Sequence, residues 1–119
     1  MKIISKELPN FGLLETKLDK KIIINLFELI EKAKKDNNSF NNQLVGNISS
    51  SLTINDDNKI LNPILLNLVS FYKDKYGDPH HSLTMTKKYG INIDSLWVNF
   101  QKQGEFNPPH NHSGAFSFV

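Results

Sequence analysis

Residues 95–119 read SLWVNFQKQGEFNPPHNHSGAFSFV, and their patterning decides which fold to expect. Leu96, Val98 and Phe100 alternate with Trp97, Asn99 and Gln101. That is the two-residue period of a β-strand with one apolar face. Lys102 to Glu105, around Gly104, predicts a turn. Beyond it Phe106 leads into Pro108-Pro109, His110, His112, Gly114 and an aromatic run from Phe116 to Val119 that reads as another strand. From residue 83 onward the chain is therefore expected to be β-rich.

Upstream the period is that of helices. Asp19 stands as an N-cap before KKIIINLFELIEKAKK, where Ile22, Ile23, Leu26, Phe27, Ile30 and Ala33 mark an amphipathic helix. Lys32, Lys34 and Lys35 in its last turn suit the negative end of the helix dipole. A second helix opens at Asn62-Pro63 as N-cap and first helical residue, with a stripe of Ile64, Leu65, Leu68, Val69, Tyr72 and Tyr76. Gly77 is its stop. Each helix has one apolar face, so each covers a core or a sheet. Residues 2–18 predict one or two short strands broken at Pro9-Asn10. Between the helices an Asn-, Ser- and Asp-rich stretch reads as a loop with a short strand around Leu44-Val45. It is long for an unstructured connection, so it should pack or bind something.

The chain has 119 residues, 39% apolar and 22% charged, in the range of a globular domain or a piece of one. No apolar run approaches the roughly 20 residues of a membrane span, and the N-terminus lacks the apolar core of a secretory signal. There is no cysteine, which excludes disulfides and thiolate ligands. A cytoplasmic location follows as the default. All 14 basic residues are Lys, scattered among 12 acids for a net charge of +2. Nucleic-acid surfaces cluster basic residues on one face and use Arg to read base edges, so a nucleic-acid partner is not expected.

The four histidines form two pairs of different geometry. On an extended chain His110 and His112 point to the same side, about 6–7 Å apart at Cα, close enough for two imidazoles to meet on one cation. Pro108 and Pro109 stiffen the approach, and Gly114 permits close backbone contact. His80 and His81 are adjacent, would point oppositely if extended, and after Gly77-Asp78-Pro79 belong to a turn. Two histidines leave coordination positions open, which suits a catalytic metal when another ligand arrives from elsewhere.

The run from Ser95 to Val119 resembles the metal-binding opening of the 2-oxoglutarate/iron(II)-dependent oxygenase family of marine bacteria and their phages. Members show a Trp-x-Asn strand, a Gly turn, then Asn-Pro-x-His-x-His-Ser-Gly and an aromatic strand. QLVGNI at 43–48, followed by the helix at 62–76, is similar to that family's upstream half. The specific part covers about a fifth of the chain. The resemblance implies an α+β fold: N-terminal helices (residues 1–82) packed on the start of a double-stranded β-helix, or jelly-roll (residues 83–119), incomplete in this chain. It also implies an iron(II) cofactor held by a His-x-Asp/Glu/His element and a distal His. A basic residue, usually Arg, holds the far carboxylate of 2-oxoglutarate. Carried across, His110 matches the first ligand. His112 stands where most relatives have an acid but where this subgroup often has His. Asn99 and Gln101, on the neighbouring strand, are candidates to contact 2-oxoglutarate. The implied activity is hydroxylation of an unspecified substrate, with O₂ consumed and 2-oxoglutarate converted to succinate and CO₂.

No histidine follows His112 and the chain holds no Arg, so the distal ligand and the co-substrate anchor are not both supplied in the family's manner. An apolar last strand would leave an unpaired edge. The expectation is thus an N-terminal portion of a longer dioxygenase, not active by itself. Two other classes stay open: a jelly-roll module holding zinc or nickel without turnover, and a phage-type structural or interaction protein.

Overall fold

The computed structural model describes residues 2–7, 12–56, 59–77, 90–112 and 114–119. Within them lie β1 (Ile3–Glu7), β2 (Gly12–Thr16), α1 (Lys20–Asp36), a 3-10 turn (Asn41–Gln43), β3 (Ser51–Thr53), α2 (Leu61–Tyr76) and β4 (Trp97–Asn99). The arrangement is a small α+β one, with two helices and two antiparallel two-stranded sheets, β1-β2 and β3-β4; no closed barrel forms among the described residues. The Pro9-Asn10 break, the His80-His81 pair and the 83–89 part of the expected β-rich half lie outside them.

The β1–β2 hairpin pairs Ile3 with Thr16 and Glu7 with Gly12. Along β2 the half-buried residues Gly12, Leu14 and Thr16 alternate with exposed Leu13 and Glu15, the period of a strand covered on one face. That face meets α2, where the Tyr72 hydroxyl accepts a hydrogen bond from the Gly12 N–H at 3.2 Å.

Helix α1 matches the expected span, and Asp19 does occupy the N-cap position. Its side chain makes no capping bond; its carbonyl accepts from the Ile23 N–H at 3.1 Å. The helix ends at Asn37, in the left-handed region (φ 49°), with its N–H bonded to the Ala33 carbonyl. Asn is one of the few residues that adopts this conformation readily. The covered face is Ile22, Leu26, Leu29, Ile30 and Ala33. Ile23 and Phe27, assigned to that face from sequence, are exposed, Phe27 by 62%. At about 100° per residue they fall about 100° round the helix from Ile22 and Leu26, far enough to leave the contact.

The strand expected at Leu44-Val45 lies instead at Ser51–Thr53. Val45 is exposed, whereas Ser51 and Leu52 are buried and pair with β4, Ser51 opposite Asn99 and Thr53 opposite Trp97. The loop does pack, as its length suggests. Asn41 ties it together, its side-chain amide donating to the Ile48 carbonyl (2.9 Å) and its oxygen accepting from the Ser51 N–H (2.7 Å).

Helix α2 starts at Leu61, so Asn62 and Pro63 sit inside its first turn and Ile60 is the N-cap. The missing donor at Pro63 costs nothing there, because first-turn N–H groups lack helical partners. The cap is supplied from the preceding loop: the buried Asp56 carboxylate accepts from the N–H groups of Ile60 (3.2 Å) and Leu61 (2.9 Å). All six stripe residues, Ile64 through Tyr76, are half-buried as expected, and Gly77 ends the helix with its N–H on the Lys73 carbonyl.

The buried apolar residues among those described are Ala33, Ile48, Leu52 and Leu61. This core is thin, and the radius of gyration of 16.0 Å exceeds the roughly 13.5 Å of a compact chain of this length. Phe116 to Val119 form no strand; Phe116 sets its ring edge-on against Tyr72 of α2, centroids 5.6 Å apart. A side chain anchored on a helix replaces the ladder expected from the aromatic pattern. No helix among the described residues is long and apolar enough to cross a membrane.

Candidate metal centre

The turn predicted at 102–105 forms, with Gly104 at φ 83° and the Glu105 N–H donating to the Lys102 carbonyl at 3.1 Å. A positive φ there favours glycine because it has no Cβ to clash. Glu105 locks the turn to the preceding loop: one carboxylate oxygen accepts from the Ser49 N–H (3.1 Å), the other from the Lys102 N–H (2.9 Å). Hydrogen bonding to Ser49, then to Lys102, holds its carboxyl below the ordinary carboxylate value. Gln101 serves the same turn, its amide donating to the Glu105 carbonyl at 2.6 Å.

Past the turn, Phe106 and Asn47 exchange backbone hydrogen bonds (2.9 and 3.3 Å) in an isolated antiparallel bridge. Asn107 lies so close to Gly46 that any side chain there would overlap its amide. The 43–48 segment and the histidine segment, remote in sequence, are thereby brought side by side.

Pro108 and Pro109 then deliver the histidines. His110 Nδ1 lies 2.7 Å from the Pro108 carbonyl. A carbonyl can only accept, so Nδ1 carries a proton, and in the neutral ring the lone pair is then on Nε2. This is the arrangement that orients a metal-ligating imidazole, the second nitrogen being held by a backbone acceptor. The His110 and His112 ring centroids are 4.7 Å apart, planes inclined by 60°. Two imidazoles bound to one cation at about 2.1 Å, with an angle of roughly 90–110° between the bonds, have centroids about 4.5–5.3 Å apart. The spacing fits a shared ion. Both residues are exposed, so an ion has open access.

His112 is backed by a ring stack. It lies against Trp97 of β4 (6.4 Å, 24°), which stacks in turn on Phe40 (4.9 Å, 13°). Trp97 was expected on the polar face of its strand, yet it is half-buried beneath these rings. Phe40 carried no local signal; it sits in an Asn-rich stretch and gains its role through the pairing of residues 39–40 with β3, whose other partner is β4.

Asn99 accepts a hydrogen bond from the Ser51 hydroxyl at 2.8 Å, across the β3–β4 ladder. Asn99 and Gln101 thus both have intramolecular partners, while the His110 and His112 rings lie edge to face. Among the described residues no group of three or more His, Cys, Asp or Glu side chains gathers as a complete metal-binding set. No third His, Cys, Asp or Glu side chain joins the His110–His112 pair among the described residues. No protein-family profile, curated protein or solved structure matches the chain.

Proposed function

We propose that His110 and His112 are two ligands of an iron(II) centre in a 2-oxoglutarate-dependent dioxygenase. The helices and small sheets would lead into a double-stranded β-helix. The observation that carries the reading is the 4.7 Å spacing of the two rings combined with the hydrogen bond fixing the His110 tautomer. The run from Trp97 through His112, with its family resemblance, chooses iron and 2-oxoglutarate over other ions.

In this reading the protein's residues do three things. The Pro108 carbonyl holds the Nδ1 proton of His110, keeping Nε2 available as a donor. Trp97, braced by Phe40, limits rotation of the His112 ring and screens one side of it from water. Glu105 and the Asn47–Phe106 bridge hold the whole segment in register with β4. When bound, iron(II) with 2-oxoglutarate and O₂ would supply oxidative decarboxylation to succinate and CO₂, coupled to hydroxylation of a substrate C–H bond. Asn99 keeps its Nδ2 donors, and Gln101 its Oε1 and one N–H, for 2-oxoglutarate while their bonds to Ser51 and Glu105 stay in place.

The test has two arms. Trp97 is the sole tryptophan, so cobalt(II) captured by the histidines should quench its fluorescence, and His110→Ala or His112→Ala should abolish saturable quenching. In the protein at its full natural length, anaerobic iron(II) with 2-oxoglutarate should add a weak visible charge-transfer band. Quenching that survives both substitutions refutes the ligand assignment. Saturable quenching without the band refutes the dioxygenase reading and leaves a zinc- or nickel-holding module. Neither signal leaves an interaction protein with incidental histidines.

A further inference from the structure

On the outward side of α1, Ile24 and Phe27 are 49% and 62% exposed, on a helix whose other side is already committed to the core. They line a shallow groove with Glu28, Glu31, Lys32 and Lys35. At about 100° per residue, Lys20, Ile24, Phe27 and Glu31 lie within about 60° of one another, on one narrow stripe opposite Ile22, Leu26 and Ala33. The stripe reads cation, apolar, apolar, anion.

The order is symmetric. Lys20 precedes Ile24 by one i,i+4 step, and Glu31 follows Phe27 by the same step. A two-fold axis between Asn25 and Leu26 therefore places Ile24 on Phe27 of a second α1, and Lys20 on Glu31, each contact occurring twice. We propose that this stripe is a homodimer surface on which two copies of α1 pack antiparallel. An isologous contact requires this kind of self-complementarity. Helix axes 8–10 Å apart let Ile24 and Phe27 interdigitate. The parallel alternative would set Lys20 against Lys20 and Glu31 against Glu31, so the charges select the orientation more than they add affinity. Lys34 already contacts one Glu31 oxygen, at 2.6 Å from the flank, leaving the other for the partner's Lys20. Among the described residues few apolar side chains are buried, and Ile24 and Phe27 are left uncovered within one copy.

The proposal is independent of the metal reading. With a small apolar centre and exposed ion pairs, the dimer should be weak, with Kd roughly 10 μM to 1 mM. Sedimentation equilibrium of the 119-residue chain across that range tests it. Phe27→Glu should weaken association at least tenfold while the circular dichroism spectrum stays unchanged, because the side chain is exposed. Lys20→Glu and Glu31→Lys should each weaken association, and the double reversal should restore it. A monomer throughout the range, as expected if a different protein or another segment covers the stripe, overturns the proposal. Dimerisation insensitive to Phe27→Glu, or a double reversal no better than the singles, overturns it too.

Discussion

Replacing Asn99 by alanine separates a structural role for this residue from a co-substrate role. Ser51 is 1% exposed, and its hydroxyl donates to Asn99 Oδ1 at 2.8 Å from directly opposite on the ladder. Removing the acceptor strands a buried hydroxyl, which costs about 1–3 kcal/mol. Ser51→Ala removes the donor instead and costs less, about 0.5–1.5 kcal/mol, because half-buried Asn99 can turn towards water. With both truncated, neither polar group is stranded, so the double variant should be less destabilised than the sum by about 1 kcal/mol. Urea unfolding followed by circular dichroism and Trp97 fluorescence measures all four corners of the cycle. Costs that add within about 0.3–0.5 kcal/mol would refute the reasoning. A variant with unchanged stability but weakened 2-oxoglutarate binding would reverse the assignment and make Asn99 a co-substrate contact.

Other predictions follow from single contacts. Asp56→Ala leaves the Ile60 and Leu61 N–H groups without their cap and should destabilise by about 1–3 kcal/mol in the same urea assay, with Asp56→Asn losing less because one acceptor remains. Glu105 has its folded pKa held below the ordinary 4.5; its stabilising contribution is therefore complete above that value and disappears as pH falls through the lower folded value. Glu105→Gln should flatten the acid limb of a stability–pH profile. Leu52→Ala, at 7% exposure, should cost about 2–5 kcal/mol by opening a cavity between α1 and the β3–β4 sheet. Gly46→Ala should be accommodated by rotation of the exposed Asn107 side chain, leaving cobalt quenching of Trp97 unchanged.

Features written in consecutive residues could be read from the chain alone. The span of α1, the stripe and Gly77 stop of α2, the Gly104 turn and the strand through Trp97 all follow from local period and local backbone preference. So did the pairing of His110 with His112, since an x-spaced pair after two prolines has few ways to point apart. What tertiary structure decided are the features that need a partner distant in sequence. Whether Phe27 is core or surface depends on where β3 lies, not on its own hydrophobicity. The strand at Ser51–Thr53 exists because Trp97–Asn99 offers a ladder, and three residues carry too little period to announce it. The α2 cap comes from Asp56, in the loop just before the helix, because the helix starts at Leu61 and leaves Asn62 inside its first turn. The Phe40–Trp97–His112 stack likewise joins three separate segments, and only folding sets them one behind another at the candidate metal centre.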